Sequence, residues 1–176
     1  NLAEEFQNIA QTARLIHPSA VISDSANLHS GTIVMANAVV NPYATIEANV
    51  IVNTSAIIEH DCLIREGCHI SPGAALAGGV TVGSKSWVGL GAKVIEGITI
   101  GDEVIIGAGS VVTKDVPAQM LVAGVPAKVK RELSQEEIED QWRHADHYAE
   151  LAAQWSQLLQ NQTDCPLLIP ASPECP

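Results

Sequence analysis

The sequence contains very few aromatic residues. Aromatic side chains make up 3% of the 176 residues, with a single Phe, although apolar residues make up 47%. Aromatic rings supply much of the volume of an ordinary globular core. Their scarcity predicts a narrow core that is filled by Val, Ile, Leu and Ala. The length fits one domain, or one domain with an appendage.

Basic residues, cysteines and long apolar runs are scarce as well. Nine Lys and Arg face twenty Asp and Glu, and the net charge of −11 argues against nucleic acid or an anionic membrane as the main partner. No apolar run approaches the ~18 residues of a membrane span. Four cysteines are too few for a disulfide framework, so we expect a reduced, cytoplasmic protein.

The chain does contain a repeat of six residues. An aliphatic residue recurs at every sixth position, seventeen times from Ile16 to Val112, and a small or β-branched residue follows each one four positions later. Neither an α-helix nor a simple strand has this period. Short strands separated by turns do have it in a β-solenoid, and the numerous Gly, Asn and Asp residues suit such turns.

Three six-residue units close a triangular coil in such a solenoid. Residues eighteen apart then lie above one another, about 4.8 Å per coil. The sequence therefore predicts an all-β, parallel β-helix of between five and six coils over residues 16–131, after a lead-in of residues 1–15. Cys62 and Cys68 fall in the small inward column, and we expect them to be buried residues rather than nucleophiles or metal ligands.

The period changes after residue 131. Ser134 and Glu137 have the spacing of a capping box, and apolar residues such as Ile138 and Trp142 follow at helical spacing. An amphipathic helix is predicted within residues 132–160, packing against the β-helix or a neighbouring subunit. Residues 161–176 contain four prolines and are expected to be an irregular tail.

Several motifs resemble those of the hexapeptide-repeat acyltransferases. They are "VGLGAK", "IGDEVI" and "IGAGSV", with the closing "VAGVPAKVKREL". Within that superfamily, "LIHPSAVI" and the stretch from Asn53 to Gly83 are most similar to the bacterial sialic-acid O-acetyltransferases and UDP-4-amino-sugar N-acetyltransferases. The resemblance covers about residues 15–131. It implies a left-handed parallel β-helix, against the usual hand of crossovers, a homotrimer, and direct acetyl transfer from acetyl-CoA to a sugar.

The same resemblance implies roles for four residues. His60, in "IEHDC", would be the general base, because an imidazole titrates near neutrality. Asp61 would stabilise the imidazolium that forms. His69, in "CHISP", resembles the histidine that contacts acetyl-CoA near the thioester, and Asn53 is the candidate for orienting the acceptor sugar.

Further residues complete the predicted acetyl-CoA site. Gly78 lies one coil above His60, where the absence of a Cβ lets a ligand approach the backbone N–H. We therefore expect Gly78 to serve the oxyanion or the pantetheine arm. The small residues expected to line the pantetheine groove are Leu90, Gly91 and Ala108. The basic residues expected at the CoA phosphates are Lys114, Lys128, Lys130 and Arg131.

The two central histidines are nine residues apart, which is half a coil. A site that uses both His60 and His69 would therefore need a neighbouring subunit, as in a trimer with sites between protomers. No metal is expected. His144 and His147, three apart in the predicted helix, are poor evidence for a metal site. A zinc enzyme of this fold would need three histidines at a subunit interface, and His60 and His69 have no obvious third partner.

The sequence leaves the acceptor open. Similar sugar acetyltransferases carry a small α/β domain before "IHPSA", whereas fifteen residues precede it here. Either that domain has been cut away, or the protein never had it, and the second case would disfavour a UDP-linked acceptor. The leading prediction is N-acetylation of a nucleotide-linked amino sugar. The alternatives are O-acetylation of a sialic-acid-like or other hydroxyl, and a non-catalytic β-helix that serves as an assembly module.

Overall fold

A computed structural model describes residues 14–141 and 143 of the chain. Seventeen two-residue strands, separated from one another by four-residue turns, precede two longer strands in this part. The strands are β1 Leu15–Ile16, β2 Val21–Ile22, β3 Asn27–Leu28, β4 Ile33–Val34, β5 Val39–Val40, β6 Thr45–Ile46, β7 Ile51–Val52, β8 Ile57–Ile58, β9 Leu63–Ile64, β10 His69–Ile70, β11 Ala75–Leu76, β12 Thr81–Val82, β13 Trp87–Val88, β14 Lys93–Val94, β15 Thr99–Ile100, β16 Ile105–Ile106, β17 Val111–Val112, β18 Met120–Ala123 and β19 Lys128–Glu132.

Each strand from β1 to β14 pairs in parallel with the strand three places later, and β16 pairs with β18, which forms three sheets. Sheet A is β1-β4-β7-β10-β13-β16-β18-β19, sheet B is β2-β5-β8-β11-β14-β17, and sheet C is β3-β6-β9-β12-β15. The register is eighteen residues, so that His69 pairs with Ile51 below it and Trp87 above it. The predicted parallel β-helix is confirmed, and its coils number about six where between five and six were expected.

The aliphatic column fills the centre of the prism. From Val34 to Val112 its members are at most 3% exposed, and burying a side chain of this size contributes about 1.5–3 kcal/mol. Cys62 and Cys68 occupy the small inward column, are free thiols, and are 1% and 0% exposed. Burial raises the pKa of Cys62, and that of Cys68 to about 12. The prediction that both cysteines are buried residues is confirmed.

The turns repeat one backbone conformation. In most of them the third residue has a positive φ, as at Asn49 (59°), Asp61 (58°) and Gly73 (67°), a region where Gly, Asn and Asp cost least. The amide of this residue donates to a carbonyl one coil below, as from Asp61 N to Pro42 O at 3.1 Å. The turns therefore add a ladder of hydrogen bonds at each corner of the prism.

The end of the β-helix departs from the hexapeptide pattern. Strand β18 continues sheet A in parallel, but β19 pairs with β18 in antiparallel orientation, and its five residues are all exposed. The hexapeptide period gives no sign of this reversal. Residues 1–13, most of the predicted 132–160 helix and the 161–176 tail lie outside the described residues.

Helix α1 begins at Gln135, with residues 135–141 and 143 helical. The predicted capping box is confirmed, because Ser134 N donates to Glu137 Oε2 at 2.9 Å and Glu137 N donates to Ser134 Oγ at 3.3 Å. Arg131 donates both guanidinium N–H groups to Glu137, each at 2.7 Å. The helix buries Ile138 and Gln141.

Candidate active site

His60 and Asp61 form the turn between β8 and β9, at the corner that joins sheets B and C (the BC corner). His60 Nδ1 lies 2.8 Å from Asp61 Oδ2, and because a carboxylate accepts hydrogen bonds, Nδ1 carries the proton and Nε2 keeps a lone pair. The side chains are 61% and 62% exposed. The pair is therefore an accessible imidazole, fixed in one tautomer by an adjacent negative charge.

Gly78 lies one coil above His60 at the same corner. A Cβ at Gly78 would lie 2.5 Å from His60 Cε1 and 2.6 Å from Nε2, so the imidazole ring rests against a backbone that only glycine leaves open. Among the described residues, the Gly78 N–H donates to no acceptor. The matching amide is capped by a side chain in other turns, as from Ser84 N to Asp102 Oδ1 at 2.7 Å. An available donor thus lies beside Nε2 of His60.

Lys114 occupies the same corner as His60, three coils further along. The column reads His60, Gly78, Glu96 and Lys114, each eighteen residues from the last. At about 4.8 Å per coil, Lys114 stands roughly 14 Å from His60 along the helix axis. Its side chain is exposed. One chain therefore presents an imidazole, a backbone donor and a cation along one edge.

His69 and Asn53 lie together on another part of the prism. His69 opens β10 in sheet A, and Asn53 follows β7 at the corner that joins sheets A and B (the AB corner). Asn53 Nδ2 is 3.1 Å from His69 Nε2. His69 is 9% exposed and stacks on Trp87, with ring centroids 5.1 Å apart and planes 16° apart. Trp87 Nε1 donates to the buried Ser71 Oγ at 2.6 Å.

The small residues predicted for the pantetheine groove also lie at the AB corner. Leu90 and Gly91 form one turn, Ala108 lies in the turn above, and Leu90 is 59% exposed. The predicted site residues therefore divide between two edges of the chain. The BC corner has His60, Asp61, Gly78 and Lys114, and the AB side has Asn53, His69, Leu90, Gly91 and Ala108. Within one chain the structure does not bring His60 and His69 together.

Three residues beside His69 were not predicted. Trp87 and Ser71 follow from the coil rule, since eighteen residues after His69 and Asn53 give positions 87 and 71. Gln141 reaches the same face from α1, is 7% exposed, and neither amide atom has a hydrogen-bond partner within the described residues. The cavity beneath it is lined by Asn49, Ile51, Gly67, His69, Lys85, Ser86, Trp87 and Gln141.

The remaining predicted cations lie near the end of the coils. Lys128 and Lys130 are exposed on β19, whereas the guanidinium of Arg131 is held by Glu137. In residues 14–141 and 143, no group of three His, Cys, Asp or Glu side chains could hold a metal ion. No helix in the same part of the chain is long and apolar enough to cross a membrane.

Comparisons with known proteins match these same coils. The family described as bacterial transferase hexapeptide (six repeats) matches residues 79–114. PerB from Caulobacter crescentus, solved in complex with CoA and GDP-perosamine, is 44% identical with a TM-score of 0.69, covering 74% of this chain and 65% of that one. The acetyltransferase domain of PglB from Neisseria gonorrhoeae, solved also with acetyl coenzyme A, is 43% identical with a TM-score of 0.68, covering 72% and 64%.

A curated relative from Staphylococcus haemolyticus adds a shorter match. Its name gives acetyltransferase as a presumed activity, and it is 60% identical over 63 residues, which is 36% of this chain and 33% of the relative. The chain thus spans about 65% of the length of the solved relatives described above and a third of the curated one.

Proposed function

Since the chain belongs to the hexapeptide-repeat transferase family, we propose that it transfers an acetyl group from acetyl-CoA to the amine of a nucleotide-linked sugar. The observation that carries the proposal is the His60–Asp61 pair, with Nδ1 held at 2.8 Å and the Gly78 backbone against Nε2. PerB, which is similar over these coils, binds CoA and GDP-perosamine together. That complex therefore offers a counterpart for each proposed reactant, CoA for the acetyl donor and GDP-perosamine for the sugar acceptor.

In the proposed mechanism the sugar amine attacks the thioester carbonyl directly. His60 Nε2 takes the proton of the amine as the C–N bond forms, while Asp61 stabilises the imidazolium through Nδ1–H. The Gly78 N–H donates to the oxyanion that develops on the carbonyl. The C–S bond then breaks, and the CoA thiolate leaves and takes the proton from His60. The products are the N-acetylated sugar and free CoA.

The two edges of the chain suggest how acetyl-CoA is held. In the proposal, Lys114 attracts the CoA phosphates along the BC corner of one subunit. The AB side of the next subunit supplies His69 near the thioester and lines the pantetheine arm with Leu90, Gly91 and Ala108. This arrangement needs a homotrimer whose sites lie between protomers.

Two features of the molecule support the proposed assembly and compartment. The outer face of sheet B is mostly apolar and open, with Val21 63% and Ile57 37% exposed, and such a face suits contact with another copy of the chain. The buried free thiols of Cys62 and Cys68 suit a reducing compartment. We therefore propose a cytoplasmic trimer.

The test measures release of free CoA thiol from acetyl-CoA against a panel of acceptors. The panel contains GDP- and UDP-linked 4-amino sugars, the free amino sugars, and matched hydroxyl sugars. We expect turnover with a nucleotide-linked amine, and a loss of about 10²–10⁴-fold in His60→Ala. His29→Ala is the control, because His29 is an exposed turn histidine outside both edges, and its rate should equal that of the wild type.

Other outcomes contradict the proposal in separate ways. Turnover with the hydroxyl sugars alone would make the protein an O-acetyltransferase. Absence of acetyl-CoA binding by calorimetry would favour the non-catalytic assembly module. Equal rates in His60→Ala and the wild type would remove His60 from the mechanism, even if the reaction itself is observed.

A further inference from the structure

The side-chain amide of Asn53 has a fixed orientation. Its Oδ1 accepts a hydrogen bond from Thr54 N at 2.7 Å, so Nδ2 is the atom that faces His69 Nε2 at 3.1 Å. An amide NH₂ group donates hydrogen bonds and does not accept them. Nε2 of His69 must therefore be the acceptor, with a lone pair in place of a proton. A neutral imidazole in that state carries its proton on Nδ1.

We propose that Asn53 and Trp87 hold His69 as a neutral imidazole protonated on Nδ1. Trp87 stacks on the ring of His69 with planes 16° apart, and its own ring is fixed by donation from Nε1 to Ser71 Oγ at 2.6 Å. The stack sets the plane of the imidazole, and the Asn53 amide sets its rotation and tautomer. Asn53 is thus a positioning residue for His69, rather than a direct contact of the acceptor.

The surroundings of His69 oppose protonation. A proton on Nε2 would face the Asn53 NH₂ group at 3.1 Å, which places two donors against each other. The side chain is 9% exposed, and burial disfavours the charged form. Lys85 from the neighbouring corner is the charged residue among the described residues that line the cavity beside His69, and α1 contributes the neutral Gln141. A nearby ammonium group disfavours a second positive charge.

This inference rests on the proposed function and assigns different roles to its two histidines. His60 has a carboxylate partner on Nδ1, which favours the charged form that a base passes through. His69 has an amide partner on Nε2, which favours the neutral form. Opposite environments of two titratable groups separate their roles. His69 therefore serves the thioester as a neutral polar group, and proton abstraction is left to His60.

The chain offers a matched control in a second Asn–His pair. Asn27 Nδ2 lies 3.1 Å from His29 Nε2, the same atoms at the same distance as at Asn53 and His69. Both residues are exposed, and within the described residues Asn27 Oδ1 accepts no hydrogen bond that would fix its amide. Asn27 can therefore rotate to accept from a protonated His29.

The test records ¹H–¹⁵N spectra of the full chain labelled with ¹⁵N-histidine, between pH 5 and 8. His69 and His29 are assigned by the signals lost in His69→Gln and His29→Gln. We expect His69 to be protonated on Nδ1 alone and to keep that state throughout this pH range. In Asn53→Asp the carboxylate should move the proton to Nε2 and bring the titration of His69 into the measured range. Asn27→Asp, the matched change at the exposed pair, should leave the His69 signals unchanged.

Substitution of Trp87 tests the stacking part of the proposal. Trp87→Phe retains an aromatic ring beside His69, and should keep the Nδ1-protonated signal. Trp87→Leu removes the ring, and should give a mixture of tautomers. Circular dichroism checks that each variant is folded, and if Trp87→Leu is not, Trp87→Phe and Asn53→Asp decide the question.

A proton on Nε2 in the wild type, or protonation of the His69 ring between pH 5 and 8, would overturn the inference. So would an unchanged His69 spectrum in a folded Asn53→Asp protein. None of these spectra depends on turnover, so a failure of the proposed reaction is seen separately. In the active enzyme, Asn53→Asp should also add an ionisation to the pH profile of kcat, which a purely structural defect would not produce.

Discussion

Gly78 shows how a single missing methyl group can matter at the residue scale. In Gly78→Ala the new Cβ would lie 2.5 Å from His60 Cε1, so the imidazole must move. Because that side chain is 61% exposed, it can turn into solvent, and we expect the free energy of unfolding to change by less than about 1 kcal/mol. Displacing the proposed base, His60, by about 1 Å should reduce kcat about 100-fold. Urea unfolding and acetyl-CoA turnover measure the two effects.

Gly97→Ala is the control for this prediction. Gly97 lies one coil further at the same corner, has a φ of +69°, and has no atom within 4 Å of a Cβ built on it. Its substitution should cost about 1 kcal/mol, because the left-handed conformation disfavours alanine, and should leave kcat unchanged. If Gly78→Ala loses as much stability as Gly97→Ala but keeps the wild-type kcat, the contact between residue 78 and His60 does not affect catalysis.

The sequence predicts some of these residue contacts and not others. The motif and the eighteen-residue coil rule together put Gly78 beside His60, and the structure places it there. The same rule applied to His69 would have found Trp87. The orientation of the Asn53 amide could not be predicted, because it depends on the Thr54 N–H and on side-chain rotation, which a periodic pattern does not encode.

At the scale of elements, the start of α1 depends on the charge of Glu137. Hydrogen bonds from Arg131, and then from the Ser134 backbone, lower the pKa of Glu137 from 4.5 to about 2. A carboxyl whose pKa is lower in the folded state stabilises the fold above its unfolded pKa, and loses that effect as the pH falls through the folded value. The cap should therefore weaken between pH 4.5 and about 2.

The measurement compares wild type with Glu137→Gln by urea unfolding and by helical circular dichroism. Wild type should be the more stable protein at pH 7, and the difference should shrink as the pH falls from 4.5 to about 2 and disappear below that. The effect should be modest and weaker at high salt, because the pair is exposed. Glu136→Gln, an exposed neighbour, should match wild type throughout. A constant difference between wild type and Glu137→Gln at all pH values would exclude the charge as its cause.

Elements inside the repeat are predictable, and those outside it are less so. The seventeen short strands follow from two columns of side chains, since no other register buries all of them. The capping box also predicts the start of α1. The reversal at β19 and the burial of Gln141 over the sheet A face have no comparable signal, because they depend on how segments beyond the repeat dock against it.

At the scale of the whole molecule, two outer faces of the prism differ in chemistry. Sheet C presents mostly polar residues, namely Asn27, Thr45, Leu63, Thr81 and Thr99. Sheet B presents mostly apolar ones, namely Val21, Val39, Ile57, Ala75 and Val111, with Lys93 among them. Unequal faces suit a molecule that contacts other copies of itself on particular sides.

The separation of His60 from His69 leads to a prediction about mixed assemblies. If each site takes His60 from one subunit and His69 from the next, His60→Ala and His69→Gln are each impaired at every site of a pure trimer. When the two proteins are unfolded together and refolded at equal amounts, about a quarter of the sites should contain both native histidines. Acetyl-CoA turnover should therefore return to about a quarter of the wild-type rate.

The control mixes His60→Ala with an Asp61→Asn protein. His60 and Asp61 are adjacent at one corner of one chain. Every chain in this mixture carries one of the two substitutions at that corner, so no arrangement of subunits contains an intact His60–Asp61 pair. Its turnover should equal the average of the two pure variants. Light scattering on each mixture checks that trimers have formed. In the contrary outcome, the His60→Ala and His69→Gln mixture gives only the average rate of its two pure variants. That result would show that the two histidines do not share a site across subunits. The proposed CoA groove would then lie along the BC corner of a single chain.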